Sequence, residues 1–145
     1  MISRRLHSAG WRFDCYFAAT RYRTGTILRA LERCGASARI MRRVERNMLR
    51  DRMDTGFTYT NPYRRHVVMV VGRSSSGAEF INSFVHELRH LADDFARGND
   101  IALDGEPIAY FSGDMAYALA DVVCALGCDC CRNKARREEV YYDDA

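Results

Sequence analysis

The chain has 145 residues, 48% of them hydrophobic, and a formal net charge of +3. This length fits one ordinary domain with a core of its own, and the composition excludes a disordered chain. The sequence carries neither a signal-peptide pattern nor an apolar run long enough to span a membrane. We therefore expect a cytoplasmic protein whose six cysteines are mostly reduced thiols.

The first third of the chain predicts one strand followed by two helices. Aromatic and polar residues alternate over residues 11–18, which is typical of a half-buried strand; the alternative is the beginning of a helix. Residues Thr26 to Cys34 place apolar side chains on one helical face, and Gly35 follows where a glycine cap belongs. Ser37 is a suitable N-cap for a second helix, which we expect to end near Met53.

The second helix has two contrasting faces. Its apolar stripe consists of Ile40, Met41, Val44, Met48 and Leu49. Its opposite stripe consists of Arg39, Arg43, Arg46 and Arg50. Such a stripe is ordinarily a solvated face, but the alternative is a nucleic-acid contact, because the arginines are aligned. Arginine also replaces lysine almost throughout, Lys134 being the only lysine.

Two strands and a long helix are predicted next. Phe57 to Thr60 is a short strand, and the β-branched run from His66 to Val71 is a strand buried on both faces. Ser76 and Glu79 have the spacing of a capping box, so a helix begins there. Phe84, Leu88, Leu91 and Phe95 give this helix an apolar face. We expect it to run to Ala96 or Arg97, with Gly98 terminating it.

The last part of the chain predicts a loop over residues 99–105 and a helix from Glu106 or Pro107 to Leu126. This helix can break at Ser112 and Gly113. We assign residues 1–131 to a single domain. Residues 132–145 form a charged C-terminal tail that we expect to be mobile.

The most specific motif is His-Glu-x-x-His at residues 86–90, in the middle of the long helix. Four helical residues turn the chain by about 400°, so His86 and His90 project from one face and can hold one zinc ion. Glu87 lies about 100° round the helix, where it can reach a zinc-bound water. A chain of this length shows the pattern by chance in well under about 1% of cases.

A catalytic zinc site ordinarily has three protein ligands and an open position for water. No histidine follows His90, so a downstream third ligand must be a carboxylate or a cysteine. The class with the pattern His-Glu-x-x-His-x-x-Gly-x-x-His needs a glycine at position 93 and a ligand at position 96. This chain has Asp93 and Ala96 there. That class of zinc hydrolase is therefore excluded.

Residues from His66 to about Ala120 resemble a small gluzincin-type metallopeptidase domain, similar to short phage or bacterial zincins. In that family a strand leads to the His-Glu-x-x-His helix, and the next helix carries Glu-x-x-Ala, matched here by Glu106 and Ala109. The resemblance implies an α+β, zincin-like fold. The fold expected from this resemblance has a mostly antiparallel or mixed sheet of about three strands. The sheet packs on an active-site helix and a ligand helix, with additional N-terminal helices.

The resemblance further implies Zn²⁺ held by His86, His90 and Glu106, with Glu87 as general base in peptide hydrolysis. Glu106 precedes Pro107, which places it at the helix start, where a carboxylate is favoured as a cap in any case. Asp104 and, more distantly, Asp114 are therefore alternatives for the third ligand.

Other residues are candidates for supporting roles around the metal. Tyr110 is a candidate donor to the oxyanion, with Tyr117 and Arg89 as alternatives. Candidates that could orient the histidine rings are Asn82, Asp93 and Asp94. Each of these residues has an ordinary alternative reading as a core, rim or solvated side chain.

Four cysteines, at positions 124, 128, 130 and 131, fall within eight residues. They could bind a second metal, but the spacing is not that of a zinc ribbon, and two adjacent cysteines chelate one tetrahedral ion awkwardly. Small thiols without a metal are the alternative. Cys15 and Cys34 are expected in the core.

The leading functional hypothesis is thus a zinc-dependent hydrolase, a metallopeptidase acting on a peptide or protein. The alternative is a non-catalytic or regulatory zincin-like module that contacts nucleic acid or protein through the arginine-rich helix. A third possibility is that His86 and His90 are helix polar residues of a protein without a metal. We expect no membrane partner.

Overall fold

The computed structural model describes residues 1–51 and 56–131. Its strands are β1 (Ile2–Ser8), β2 (Trp11–Ala19), β3 (Gly56–Asn61) and β4 (His66–Gly72). Its helices are a short 3-10 helix (Arg21–Arg23), α1 (Thr24–Cys34), α2 (Ala38–Leu49), α3 (Gly77–Gly98), α4 (Glu106–Ala118) and α5 (Ala120–Gly127). The fold is α+β, as the sequence predicted.

The strands form one mixed sheet in the order β1-β2-β4-β3. The central pair, β2 and β4, is parallel, and the edge strands β1 and β3 are antiparallel to their neighbours. The expectation of about three strands was therefore one short. The mixed pairing was among the predicted arrangements.

Strand β1 was not predicted because its sequence, Ile-Ser-Arg-Arg-Leu-His-Ser, is mostly polar and its side chains are mostly exposed. The strand depends on pairing with β2 through a two-residue turn, Ala9-Gly10, in which both residues have positive φ angles, 48° and 77°. Two successive positive φ angles are typical of the tight turns that join hairpin strands. The strand is thus imposed by its partner.

Two separate apolar cores lie on the two faces of the sheet. On one face, Phe13, Phe17 and Met69 pack against the apolar sides of α3, α4 and α5. On the other, Tyr16 and Val68 pack against α1 and α2. Every residue of β4 is buried, as its β-branched sequence predicted. The sheet therefore separates a layer made of α1 and α2 from a layer made of α3, α4 and α5.

Helices α1 and α2 follow the sequence predictions closely. Gly35 adopts a left-handed conformation (φ 87°) after α1, and the Ser37 hydroxyl accepts a hydrogen bond from the Ile40 N–H at the start of α2. Helix α2 ends at Leu49, before the predicted Met53, because Asp51 has a positive φ of 50° that leaves the helical region. Met53 itself lies outside the described residues.

Helix α3 begins after Ser76, as the sequence indicated, but it ends at Gly98, beyond the predicted end at Ala96 or Arg97. Gly98 is the last helical residue, and the cap that follows is Asn99 with a negative φ of −122°. A Cβ at Gly98 would lie 2.4 Å from the fully buried Trp11 ring. Glycine is required here by close packing rather than by a left-handed turn.

The predicted last helix is divided, but not at Ser112 and Gly113. It breaks at Leu119, where α4 and α5 meet at an angle of 65°. The buried stripe continues across the break through Met115, Leu119 and Val122, so the bend keeps both helices on the core. No single helix among the described residues is long and apolar enough to cross a membrane. Among those residues, only α4 and α5 taken together reach that length and apolar composition, and they are bent.

Candidate metal centre

The two motif histidines lie side by side on the exposed surface of α3. Their Nε2 atoms are 3.1 Å apart, and their rings meet at an interplanar angle of 76°. Two zinc–nitrogen bonds of ordinary length at a tetrahedral angle separate their nitrogens by about 3.3 Å. The pair therefore has the spacing for one shared ion. An Nε2–H to Nε2 hydrogen bond fits the same distance, and the two arrangements differ in whether a proton or a cation lies between the rings.

Glu87 lies on the neighbouring face of α3 and turns towards the sheet, where its side chain is buried. The Thr58 hydroxyl, on the edge strand β3, lies 2.8 Å from the Glu87 Oε2 atom and 3.3 Å from the Glu87 carbonyl oxygen. A hydroxyl that donates to a buried carboxylate gives one of its oxygens a partner and fixes its rotamer. Thr58 was not singled out from the sequence, since only the pairing of β3 with the sheet brings it beside α3.

Thr60 repeats this contact two residues along the strand. Its hydroxyl donates to the Asp94 Oδ2 atom over 2.7 Å, and Asp94 also forms an ion pair with Arg97. Alternate residues of a strand share a face, so both threonines point towards α3, while Phe57 and Tyr59 pack in the opposite core. The motif helix is thus attached to the edge of the sheet by two polar contacts.

Two of the three residues proposed to orient the histidines have other partners. Asp93 accepts a hydrogen bond from Arg89 over 2.8 Å, and Asp94 is held by Thr60 and Arg97. The Arg89 guanidinium is accordingly engaged four residues along its own helix. Asn82 is exposed on α3.

Glu106 is the first residue of α4, exposed, with Gly105 as the N-cap and Pro107 in the first turn. Within residues 1–51 and 56–131, no His, Cys, Asp or Glu atom joins the histidine pair in a three-ligand cluster. Asp104 and Asp114 are also exposed. The third ligand therefore stays a prediction. Helices α3 and α4 pack together, so the start of α4 belongs to the same layer as the motif.

Tyr110 and Tyr117, the predicted oxyanion donors, project from α4 into solvent, with 70% and 85% of their surface exposed. Neither is packed into the core, so of the two alternative interpretations, core or rim aromatics, only the second fits these tyrosines. Their catalytic role stays a prediction.

The layer that carries the motif is strongly acidic. Residues 77–131 contain ten acidic residues against two arginines, a net charge of −8. Residues 21–51, which form most of the opposite layer, contain nine arginines against three acidic residues, a net charge of +6. An acidic surface attracts cations, and the basic surface attracts polyanions. The two faces of the sheet are therefore electrostatically distinct.

A second polar cluster is buried between β1, β2 and β4. The Asp14 carboxylate accepts hydrogen bonds from the His66 Nε2 atom over 2.8 Å, from Arg5 and from Arg12. Burial alone would raise the pKa of Asp14, but these donors outweigh it and hold the pKa below its usual range. The Arg5 and His66 contacts join β2 to β1 and to β4, whereas Arg12 lies on β2 itself, so two of the three contacts hold neighbouring strands together.

The cysteines divide into two groups. Cys15 and Cys34 are fully buried, as predicted, and burial raises their thiol pKa to about 12 and about 11. Cys128, Cys130 and Cys131 are exposed after α5, and their three sulfur atoms lie within 4.8 Å of one another. A hydrogen bond from the Cys130 thiol lowers the pKa of Cys128 to about 7.

Comparisons with protein-family models, with curated proteins and with solved structures found no match. The resemblance to gluzincins therefore stays a prediction from the sequence.

Proposed function

We propose that the protein is a zinc-dependent hydrolase whose metal is held by His86 and His90. The observation that carries the proposal is the 3.1 Å separation of the two Nε2 atoms on the exposed face of α3, beside a buried glutamate. The surrounding layer has a net charge of −8, which lowers the free energy of a bound dication. Glu106, at the start of the neighbouring helix, is the proposed third ligand.

Zinc bound at this position would supply a water of lowered pKa. Glu87 then acts as the general base that takes the water proton and passes it to the leaving amine. The Thr58 hydroxyl contacts the Glu87 carboxylate and so positions the proposed base. This contact is one of those made by the buried Glu87 side chain. Tyr110 is the proposed donor to the developing oxyanion.

A peptide is the proposed substrate because of the position of β3. In the part of the chain that the structure describes, β3 pairs with β4 on one side only and forms an edge of the sheet. An extended peptide can add to such an edge through backbone hydrogen bonds. Thr58 belongs to this strand, so a peptide bound there would lie close to the general base.

The first test is zinc binding by the full chain. We expect one zinc per chain at the histidine pair, measured by isothermal titration calorimetry in a background where Cys128, Cys130 and Cys131 are serine. His86→Ala or His90→Ala should abolish this binding, whereas His7→Ala, an exposed histidine on β1, should leave it unchanged. Failure of the parent protein to bind zinc at micromolar concentration would contradict the proposal.

The second test separates metal binding from hydrolysis. Glu87→Gln should keep zinc and abolish cleavage of a quenched fluorescent peptide library. The third ligand is tested by comparing Glu106→Gln with Asp104→Asn and Asp114→Asn. We expect Glu106→Gln to weaken zinc about a hundredfold and the other two to change it little. Equal cleavage by the Glu87→Gln variant would remove Glu87 as the base.

A second candidate function is nucleic-acid binding by the α1 and α2 layer. Its net charge of +6 is concentrated on the face of the sheet opposite the motif, where Arg39, Arg43, Arg46 and Arg50 are all exposed. A cavity of about 310 Å³ adjoins this layer and is lined in part by Arg21 and Tyr22. The Arg21 guanidinium lies 5.0 Å from the ring centroid of Tyr22, which is 80% exposed and can stack on a base.

This candidate is tested by gel-shift titration with single-stranded RNA over a range of salt concentrations. Alanine at Arg39, Arg43, Arg46 and Arg50 together should weaken binding and reduce the salt slope by about three units. The matched control replaces Arg89 and Arg97 on the acidic layer and should leave both quantities unchanged. The absence of salt-sensitive binding by the parent protein would exclude this function.

A further inference from the structure

Apart from the histidine pair, the structure brings together the sulfur atoms of Cys128, Cys130 and Cys131, which we call the thiol triad. Each sulfur atom lies within 4.8 Å of the other two, and all three residues are exposed. The Cys128 and Cys130 sulfurs are 2.6 Å apart, and the Cys130 and Cys131 sulfurs are 3.9 Å apart. Adjacent cysteines thus converge here, although their sequence spacing argued against a shared ion.

The loop that carries the triad is fixed to the start of α3. The Asp129 Oδ1 atom, between two of the cysteines, accepts a hydrogen bond from the Gly77 N–H over 2.7 Å. Gly77 also packs so closely on Gly127 that a Cβ at Gly77 would lie 2.2 Å from the Gly127 carbonyl oxygen. The backbone on the N-terminal side of the triad is therefore held by the rest of the domain, which reduces the entropy lost when the sulfurs bind an ion.

The number and type of donors select the ion. Thiolates are soft ligands, which favour Cu(I) and zinc over magnesium or calcium. A structural zinc site takes four protein ligands, whereas within the described residues this cluster contains three. Cys124, one turn earlier on α5, is exposed but is not part of the cluster. Within residues 1–51 and 56–131 the set has three sulfur donors and no fourth ligand, and such a set suits monovalent copper better than structural zinc.

We propose that Cys128, Cys130 and Cys131 bind one Cu(I) ion through three thiolate sulfurs. Three copper–sulfur bonds form, the thiol protons pass to solvent, and the copper stays monovalent throughout. The site is separate from the histidine pair, because Gly77 and His86 are nine residues apart on α3, a distance of about 14 Å along the helix. The copper site therefore does not depend on the proposed hydrolase function.

The charge of the surrounding layer supports a cation at this position. Residues 77–131 carry a net charge of −8, which attracts a positive ion. The choice of copper over zinc rests on the number and the softness of the three sulfur donors.

The test is an anaerobic competition between the reduced full chain and the chromophoric chelator bicinchoninate, with Cu(I) as the probe. A His86→Ala, His90→Ala background removes the other candidate metal ligands. We expect one equivalent of Cu(I) to be withdrawn from the chelator. Cys128→Ser together with Cys130→Ser should weaken binding at least about a hundredfold. Cys131→Ser should also weaken it, and zinc should compete poorly.

Cys124→Ser is the matched control, since it removes an exposed cysteine of the same segment and should change the affinity less than about twofold. Equal loss of binding in Cys124→Ser and in the triad variants would overturn the three-sulfur assignment. Failure of the parent chain to withdraw copper would overturn the proposal as well. So would a thiol titration that finds Cys128 and Cys130 joined as a disulfide in protein kept under reducing conditions.

Discussion

The contact between Thr58 and Glu87 gives the sharpest test of how the motif is positioned. Thr58→Val keeps the β-branched shape and the strand propensity of the side chain but removes the hydroxyl that donates over 2.8 Å to the Glu87 carboxylate. Only 2% of the Glu87 surface is exposed, so water has little access to replace the lost donor. A hydrogen bond to a charged group contributes about 1.5–3 kcal/mol, and we expect a loss of stability in that range.

Thr60→Val is the matched control, because Thr60 lies on the same face of β3 and donates over a similar distance, 2.7 Å, to Asp94. The Asp94 side chain is 32% exposed and has a second partner in Arg97. Water and the arginine can therefore compensate, and the expected loss is only about 0.5–1 kcal/mol. Urea denaturation of both variants in the presence of EDTA measures the difference without a contribution from metal.

The same two variants separate a structural role from a catalytic one. If Thr58 positions the general base, Thr58→Val should lower kcat about tenfold. Zinc affinity and KM should change little, because the substitution touches none of the three proposed metal ligands. Thr60→Val should retain the kcat of the parent. Equal losses of stability in the two variants would refute the argument from burial. An unchanged kcat in Thr58→Val would refute the positioning of Glu87 by this hydroxyl.

Further predictions concern acid stability and glycine packing. Because the pKa of Asp14 is lowered in the folded protein, its contribution to stability is present above about pH 4 and is lost as the pH falls through the folded value. Asp14→Asn should therefore lower the free energy of unfolding by about 3 kcal/mol at pH 7, because it disrupts the buried contact with His66. This loss of stability should become smaller in acid, and a loss that does not change with pH would contradict the argument. Gly98→Ala should cost about 2 kcal/mol, because the new methyl group meets Trp11. At Gly113 an added Cβ meets nothing within 4 Å, so Gly113→Ala should stabilise α4 by about 0.5–1 kcal/mol. Thermal denaturation measures both variants, and a shift of Tm in the same direction for the two would refute the packing argument.

Some predictions succeeded because they depend on neighbouring residues alone. The β-branched run of β4 indicated a strand buried on both faces, and Ser37 and Gly35 marked helix ends through local hydrogen bonding and a left-handed turn. The histidine pair follows from helix geometry, since residues four apart share a face. These features need no knowledge of the remaining chain.

Other features depend on partners that are distant in sequence. Strand β1 has a polar sequence and exists because β2 pairs with it. The break between α4 and α5 falls at the fully buried Leu119 and not at the glycine that local propensity favoured. Gly98 is required by Trp11, 87 positions earlier in the chain, rather than by the helix that it ends.

By itself, the sequence determined that this chain has a motif helix with two histidines on one exposed face, behind a buried strand. Local periodicity and capping are sufficient for that result. Only the tertiary structure decided that Glu87 is buried against Thr58 on an edge strand, that the three exposed cysteines converge after α5, and that positive and negative charge lie on opposite faces of the sheet. The physical reason is that strand order and helix packing, which set these contacts, join residues far apart in the chain.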